Sequence, residues 1–269
     1  VIYIGTSGFS FPDWIGHVYP RDIRKSQMLR YYAFIWKFNA LELNFTYYRL
    51  PSTKTIVSLL RNTPSDMIFT IKLPASVTHQ GWKKERVPEE DLISFLRAVE
   101  PMISERRLKA ILAQFPFSFR YNERNLGYIA SIADKANFKL AVELRNKSWD
   151  RESFYSWLRE RGISLVTVDE PRLPGLFPYR PVLTSETAYF RFHGRNPDWF
   201  KASAGERYKY DYSVAELTSF VRDVKNVLKS ASDVFVFFNN CYRGNAVRNA
   251  LQFKGFFDEA NSVSIDRTK

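Results

Sequence analysis

Eight short runs rich in β-branched and aromatic residues recur along the chain with amphipathic stretches between them, and this alternation restricts the possible folds more than any other feature. The runs are residues 1–5 (VIYIG), 39–43 (NALEL), 67–73 (MIFTIKL), 108–115 (LKAILAQF), 138–144 (FKLAVEL), 163–169 (ISLVTVD), 188–193 (AYFRFH) and 233–238 (DVFVFF). Most are nearly continuous in apolar residues rather than half polar, so both faces of each strand are expected to be covered. Segments such as EEDLISFLRAVEPMI, RNLGYIASIADKA, RESFYSWLRERG and VAELTSFVRDVKNVLK have the helical period and would supply the outer layer. Eight such units in a chain of 269 residues predict the α/β class and a single (β/α)8 TIM-type barrel spanning residues 1–269. The sixth unit departs from the pattern. EPRLPGLFPYRPVLT holds four prolines and no helical period, which predicts an irregular crossover between strands six and seven.

Such a barrel works at the carboxyl ends of its strands, so the residues on which the runs end are the candidate site. They are Thr6 and Ser7, Glu42 and Asn44, Lys72, Gln114, Glu143 and Arg145, Asp169, Arg191 and His193, then Asn239 and Asn240. Strand side chains alternate with period two, so Glu42 with Asn44, Glu143 with Arg145, and Arg191 with His193 each share a face. A strand end turns polar wherever it meets solvent, yet all eight runs exit through a hydrogen-bonding side chain. His17, His79 and His193 also fall on the exit side in this register, as do Trp14, Trp82, Trp149 and Trp199, whereas Trp36 and Trp157 lie within helical patterns.

Charge narrows the class of partner. Forty basic against 28 acidic residues give a formal net charge of +12, which favours an anionic small molecule or nucleic acid. Two places suit an anion. FFNNCYRGNAVRNALQF places Asn245 as the cap of a final helix, with Arg191, Arg195 and Arg243 expected nearby. THQGWKKERVP interleaves basic residues with Trp82. A lone cysteine, Cys241, precludes an intramolecular disulfide or a cysteine-based zinc cluster. With no run long enough to span a membrane and no leader-like start, the expectation is a cytoplasmic protein without membrane contact.

Six motifs in order, YIGTSGFSFPDWIGHVYP, LELNFTYYRLP, FTIKLPASVTH, AVELRNKSWD, YFRFHGRN and VFFNNCYRGNAVRNAL, make the chain resemble the YecE-like proteins, domain of unknown function 72. The resemblance covers nearly the whole chain. It implies a TIM-type barrel and marks Glu42, Asn44, Lys72, His79, Glu143, Arg145, His193 and Asn240 as signature positions, while supplying no reaction. The chain departs from the family pattern at Phe9, where tryptophan is usual, and at Asn146 and Lys147, where a His-Pro pair is usual.

The leading expectation is an enzyme acting on a phosphorylated or otherwise anionic substrate by acid–base chemistry of the hydrolase or lyase type. Glu42, Lys72, Glu143, Asp169 and His193 are its catalytic candidates, with Glu143 or Glu42 as base and His193 as acid or shuttle. Ser7, Trp14, Asn44, His79, Gln114, Arg145, Trp149, Arg191, Arg195, Asn239 and Asn240 are its binding candidates. No cofactor is called for. One divalent metal on His79, His193, Glu143 and Asp169, as in the barrel endonucleases of abasic-site repair, is a weaker alternative because three histidines are few. A glycosidase built on the Glu42 and Glu143 pair is another. Outside catalysis, the charge alone supports a non-enzymatic binder of nucleic acid or another polyanion.

Overall fold

In the computed structural model, which describes residues 1–203 and 205–265 with side chains to residue 258, every expected run is a strand. In chain order the elements are β1 (Ile2–Thr6), α1 (Lys25–Arg30), β2 (Ala40–Leu43), α2 (Thr53–Arg61), β3 (Ile68–Lys72), α3 (Glu89–Ser104), β4 (Leu108–Gln114), α4 (Glu123–Ala136) and β5 (Leu140–Glu143). There follow α5 (Glu152–Glu160), β6 (Ser164–Asp169), β7 (Thr187–Phe192), α6 (Val214–Leu228), β8 (Asp233–Phe238) and α7 (Asn245–Ile265). The strands pair in parallel in the order β1-β8-β7-β6-β5-β4-β3-β2, so a right-handed sequence of crossovers curls the sheet until β1 meets β2. The result is the α/β barrel expected of the pattern.

The β1–β2 seam closes the cylinder, and side chains do much of the joining. A single bridge pairs Ser7 with Glu42, and the Gly8 N–H donates to the Glu42 carbonyl at 2.9 Å. Below it the Tyr32 hydroxyl accepts from the Thr6 N–H and donates to the Ala40 carbonyl, both at 2.9 Å, while Asn39 accepts from the Ile4 N–H at 2.8 Å. Strand backbone groups that lack a ladder partner are thereby satisfied. The seam also requires a residue without a side chain, because a Cβ at Gly5 would stand 2.1 Å from the Ala40 carbonyl oxygen.

Period-two alternation sorts each strand into two cores. Alternate residues of the strands, among them Ala40, Ile68, Leu112, Val168, Tyr189 and Phe237, meet in a compact cluster inside the barrel. The residues between them join the larger core under the helices, with Leu41, Phe69, Ile111, Val142, Phe190 and Phe238. The connection from β6 to β7, residues 170–186, contains no helix, as its prolines foretell. It lies over the β5 exit, where the Phe177 N–H donates to the Arg145 carbonyl at 2.9 Å and the Lys147 N–H to the Gly175 carbonyl at 2.8 Å. Among the described residues no helix is long and apolar enough to cross a membrane.

Candidate active site

Extending the interior alternation upward brings one set of polar side chains to the carboxyl end of the barrel. Arg191 of β7 is the hub. Its guanidinium grips Glu42 from β2 on the opposite wall through two contacts, Nη2 to Oε1 at 2.6 Å and Nε to Oε2 at 2.9 Å, and donates a third to Glu143 Oε2 from β5. The Tyr189 hydroxyl, one interior step below, donates to Glu42 Oε2 at 2.7 Å and lies 2.7 Å from Thr70 Oγ1. Arg145 forms the next tier. It contacts Glu170 Oε2 through Nη1, lies 2.6 Å from Glu143 Oε1 without hydrogen-bond alignment, and approaches His193 Nε2 at 3.1 Å. Glu42, Glu143, Arg191 and His193 are all buried. Charges so deep must be paired, and two planar guanidiniums against three carboxylates provide that pairing.

The electrostatics distribute proton affinity unevenly. Burial alone would raise the Glu143 carboxyl, but Arg145 and Arg191 together outweigh it and hold the group well below the ordinary carboxylate range. His193 moves the other way. Burial, reinforced by Arg145, pushes it down to about 3, so its imidazole is neutral at pH 7. The Asn239 amide nitrogen, 2.7 Å away, donates to Nδ1 of the neutral ring, so Nε2 carries the proton, with Glu143 Oε1 3.4 Å from it. Glu170 rises to about 7, because burial outweighs its single cation, Arg145, and its Oε1 has no partner among the described residues.

Lys72 is the cation of this group that no carboxylate holds. Its Nζ donates to the neutral Gln114 Oε1 at 2.7 Å and stands 4.2 Å from the centre of the Tyr47 ring, and the residue is only partly buried. Burial, followed by the charge of Arg191, lowers its ammonium to about 7. His79 completes this side, edge-on to Tyr47 at 4.9 Å, with burial and Lys72 lowering it to about 4. Above His193 and Arg145 lies the loop after β7. There the centre of the Trp199 ring lies 5.5 Å from the Arg145 guanidinium, Tyr208 lies 5.9 Å from the His193 ring, and Arg207 packs over Trp199 with its Nε buried and, among the described residues, unpartnered.

Of the residues expected from the sequence, Glu42, Lys72, Gln114, Glu143, Arg145, Arg191, His193 and Asn239 come together inside the barrel. Ser7 lies 3.4 Å from Arg191 Nη2, Asn44 directly follows β2 with its Oδ1 buried and, among the described residues, unpartnered, and His79 faces Tyr47 and Lys72. Five do not join them. Asp169 and Asn240 have the opposite parity and face the helical layer. Asp169 accepts from Arg195 and from the Tyr212 hydroxyl, and Asn240 donates to the Tyr210 carbonyl and to Asn249. Arg195 is spent on Asp169 and Glu216 in that same layer. Trp14 and Trp149 are fully buried packing residues whose indole N–H groups donate to the carbonyls of Cys241 and Phe119, so neither offers a ring face to a ligand.

Other expectations change for the same physical reasons. Both carboxylates of the glycosidase pair flank one guanidinium, which occupies the place where a scissile bond would lie. The four proposed metal donors are dispersed, with Asp169 facing away and Glu143 gripped by arginines. Among the described residues no three acidic, histidine or cysteine side chains form a metal-holding group. The three arginines do not gather at α7 either. Arg191 is buried in the barrel, Arg243 is exposed beside Tyr242, and Asn245 begins the helix with its amide on the Tyr210 carbonyl rather than capping it. Glu170 and Tyr189 escaped the sequence reading. Counting the alternation one step past Val168 would have found Glu170, and reading the interior positions below Arg191 would have found Tyr189.

Comparison with known proteins agrees with this architecture. Residues 3–268 match the model of the family described as "Protein of unknown function DUF72". A crystal structure of a DUF72 family protein from Thermotoga maritima MSB8 shares 52% sequence identity, covers 96% of this chain and 99% of its own, and superposes with a TM-score of 0.91. A DUF72 family protein from Enterococcus faecalis V583 superposes with a TM-score of 0.83 at 30% identity, covering 95% of this chain and 94% of its own. The curated UPF0759 protein YunF of Bacillus subtilis (strain 168) is 28% identical over 275 residues, spanning 96% of this chain and 95% of that protein. With its barrel, its buried Glu42–Arg191–Glu143 cluster and a family match over almost its entire length, the chain belongs to the DUF72 family.

Proposed function

We propose that the carboxyl end of the barrel is the active site of an enzyme that performs acid–base chemistry on a small anionic substrate, with Lys72 as the proton-transfer group. The observation that carries this reading is the setting of the Lys72 amine. It is anchored by a neutral amide in a site where the two guanidiniums within the barrel, Arg145 and Arg191, already have carboxylates, and it titrates at about 7, so it exchanges a proton at physiological pH. Glu170, raised to about 7, is the second group able to trade a proton there. Glu143 stays ionised and Glu42 is doubly bonded to Arg191, so these two fix the cations and shape the field instead of acting as bases. Arg207, whose Nε has no partner among the described residues, supplies a contact for the substrate's anionic group.

Deuterium exchange tests this directly. A panel of phosphorylated and carboxylated metabolites is incubated with the protein in D2O and followed by NMR. Wild type is expected to exchange a carbon-bound proton of at least one compound, and Lys72→Met to slow that exchange by roughly 100- to 10,000-fold. A substrate turned over equally well by both proteins would remove Lys72 from the chemistry.

A second reading, binding of a polyanion, has its own observation. An open cavity of about 440 Å³ is lined by Lys209, Tyr210, Asp211, Tyr242, Arg243 and Asn245, and the Tyr242 ring has Lys209 and Arg243 each 5.3 Å from its centre. Cations around a half-buried ring at the surface suit a single-stranded nucleic acid. Affinity for a short oligonucleotide should then fall steeply with salt, and absence of binding at low salt would dismiss this reading.

A further inference from the structure

We propose that Lys72 is a covalent nucleophile that forms a Schiff base with a small carbonyl compound bearing an anionic group. The inference rests on the acid–base reading of the site and adds to it the class of substrate and the bond that forms.

Three observations converge. Lys72 stands on the last residue of β3, so its stem is fixed by the barrel wall, and its Nζ is held by Gln114 Oε1 and the Tyr47 face. Neither contact consumes the nitrogen lone pair of the free amine: Gln114 accepts a hydrogen bond from its N–H and the ring lies alongside. A lysine intended as a structural cation would be expected to take a carboxylate, and three are present in the same site. Instead Arg191 and Arg145 hold Glu42, Glu143 and Glu170, leaving the amine unpaired beside other cations, which is the arrangement that activates a lysine toward carbonyl carbon.

The charge count favours the product. Inside the barrel three carboxylates face two guanidiniums, so an iminium at Nζ matches the third when Glu170 is ionised, while the substrate's own anionic group falls to Arg207. A neutral, unprotonated lysine leaves that charge unmatched.

The step balances without any outside oxidant or reductant. The Nζ lone pair attacks the carbonyl carbon, and the carbonyl π pair moves to oxygen, which takes up a proton. Nitrogen releases a proton to give the carbinolamine. The hydroxyl, protonated in turn, leaves as water while the nitrogen lone pair forms the C=N bond. The net change is one amine, one carbonyl and one proton giving an iminium and water.

Glyoxylate, an aldehyde carrying a carboxylate, is the probe, with sodium cyanoborohydride to reduce the imine and peptide mass spectrometry to locate carboxymethyl-lysine. At pH 7 Lys72 is expected to be labelled more than about tenfold faster than the surface lysines, since an ordinary lysine amine at that pH is almost wholly protonated. Inorganic phosphate should slow labelling at Lys72 alone, and Lys72→Arg should lose that peptide's label while the surface pattern persists. Competitive acetylation across pH measures the ionisation of Lys72 independently. Titration near neutrality with glyoxylate labelling no faster than at the surface overturns the covalent role and leaves the proton-transfer reading standing. Titration in the ordinary lysine range overturns both.

Discussion

Replacing Arg191 with methionine isolates the interaction on which the site is built. Methionine fills similar volume and carries no charge, so the change strips the cation from two buried carboxylates. Glu42 loses its bidentate partner and keeps only the Tyr189 hydroxyl, while Glu143 retains Arg145. Removing one member of a buried ion pair costs about 3–5 kcal/mol, because the remaining charge is left desolvated and uncompensated. At roughly 2–4 °C per kcal/mol for a chain of this size, the midpoint of thermal unfolding should drop by roughly 10 °C. Urea unfolding followed by tryptophan fluorescence measures the same loss. The pH dependence separates this cause from a packing defect. In wild type the depressed Glu143 contributes stability that is fully present above the unfolded carboxylate pKa and is lost as pH falls through the folded value. In the variant Glu143 keeps Arg145 but loses Arg191, so less of this stability is there to be lost, and the gap to wild type narrows as pH falls below the ordinary carboxylate range. The triple variant Arg191→Met, Glu42→Gln, Glu143→Gln should recover part of the loss at pH 7, although its Arg145 then relies on Glu170 alone. A loss below about 1 kcal/mol, or a gap that does not change with pH, would refute the reasoning.

Two further predictions concern the barrel seam. Tyr32→Phe removes the hydroxyl that serves both the Thr6 N–H and the Ala40 carbonyl, leaving a buried donor and acceptor unmatched, and should cost about 3 kcal/mol in urea unfolding. Gly5→Ala forces a methyl to within 2.1 Å of the Ala40 oxygen unless β1 and β2 part, so amide hydrogen exchange should accelerate at Gly8 and Thr6 before it does elsewhere in the sheet. Equal protection in variant and wild type would show that the seam is looser than its contacts imply.

Much of the architecture is legible because its causes are local. Apolar runs buried on both faces make parallel strands, amphipathic segments make their cover, and a proline-rich stretch such as residues 170–186 cannot make a helix. The pairing of Glu42 with Asn44 and of Glu143 with Arg145 also follows from alternation along single strands. Asp169 ends its run yet faces the helical layer, because the parity that points inward belongs to Val166, Val168 and then Glu170. Trp14 and Trp149 read as exit-side aromatics, since nothing in their neighbourhood along the chain reveals that Cys241 and Phe119 carbonyls wait for their indole N–H groups.

What the amino-acid order determined by itself is therefore the class of fold, the position of each strand and the supply of acids, amides and cations at one end of a cylinder. What only the tertiary structure decided is which of them meet. Glu42 and Arg191 are 149 residues apart, and their contact exists because the barrel brings opposite walls together. The proton affinities of Lys72, Glu170 and His193 depend on burial and on charges contributed by other strands, and those quantities have no local signature in the chain.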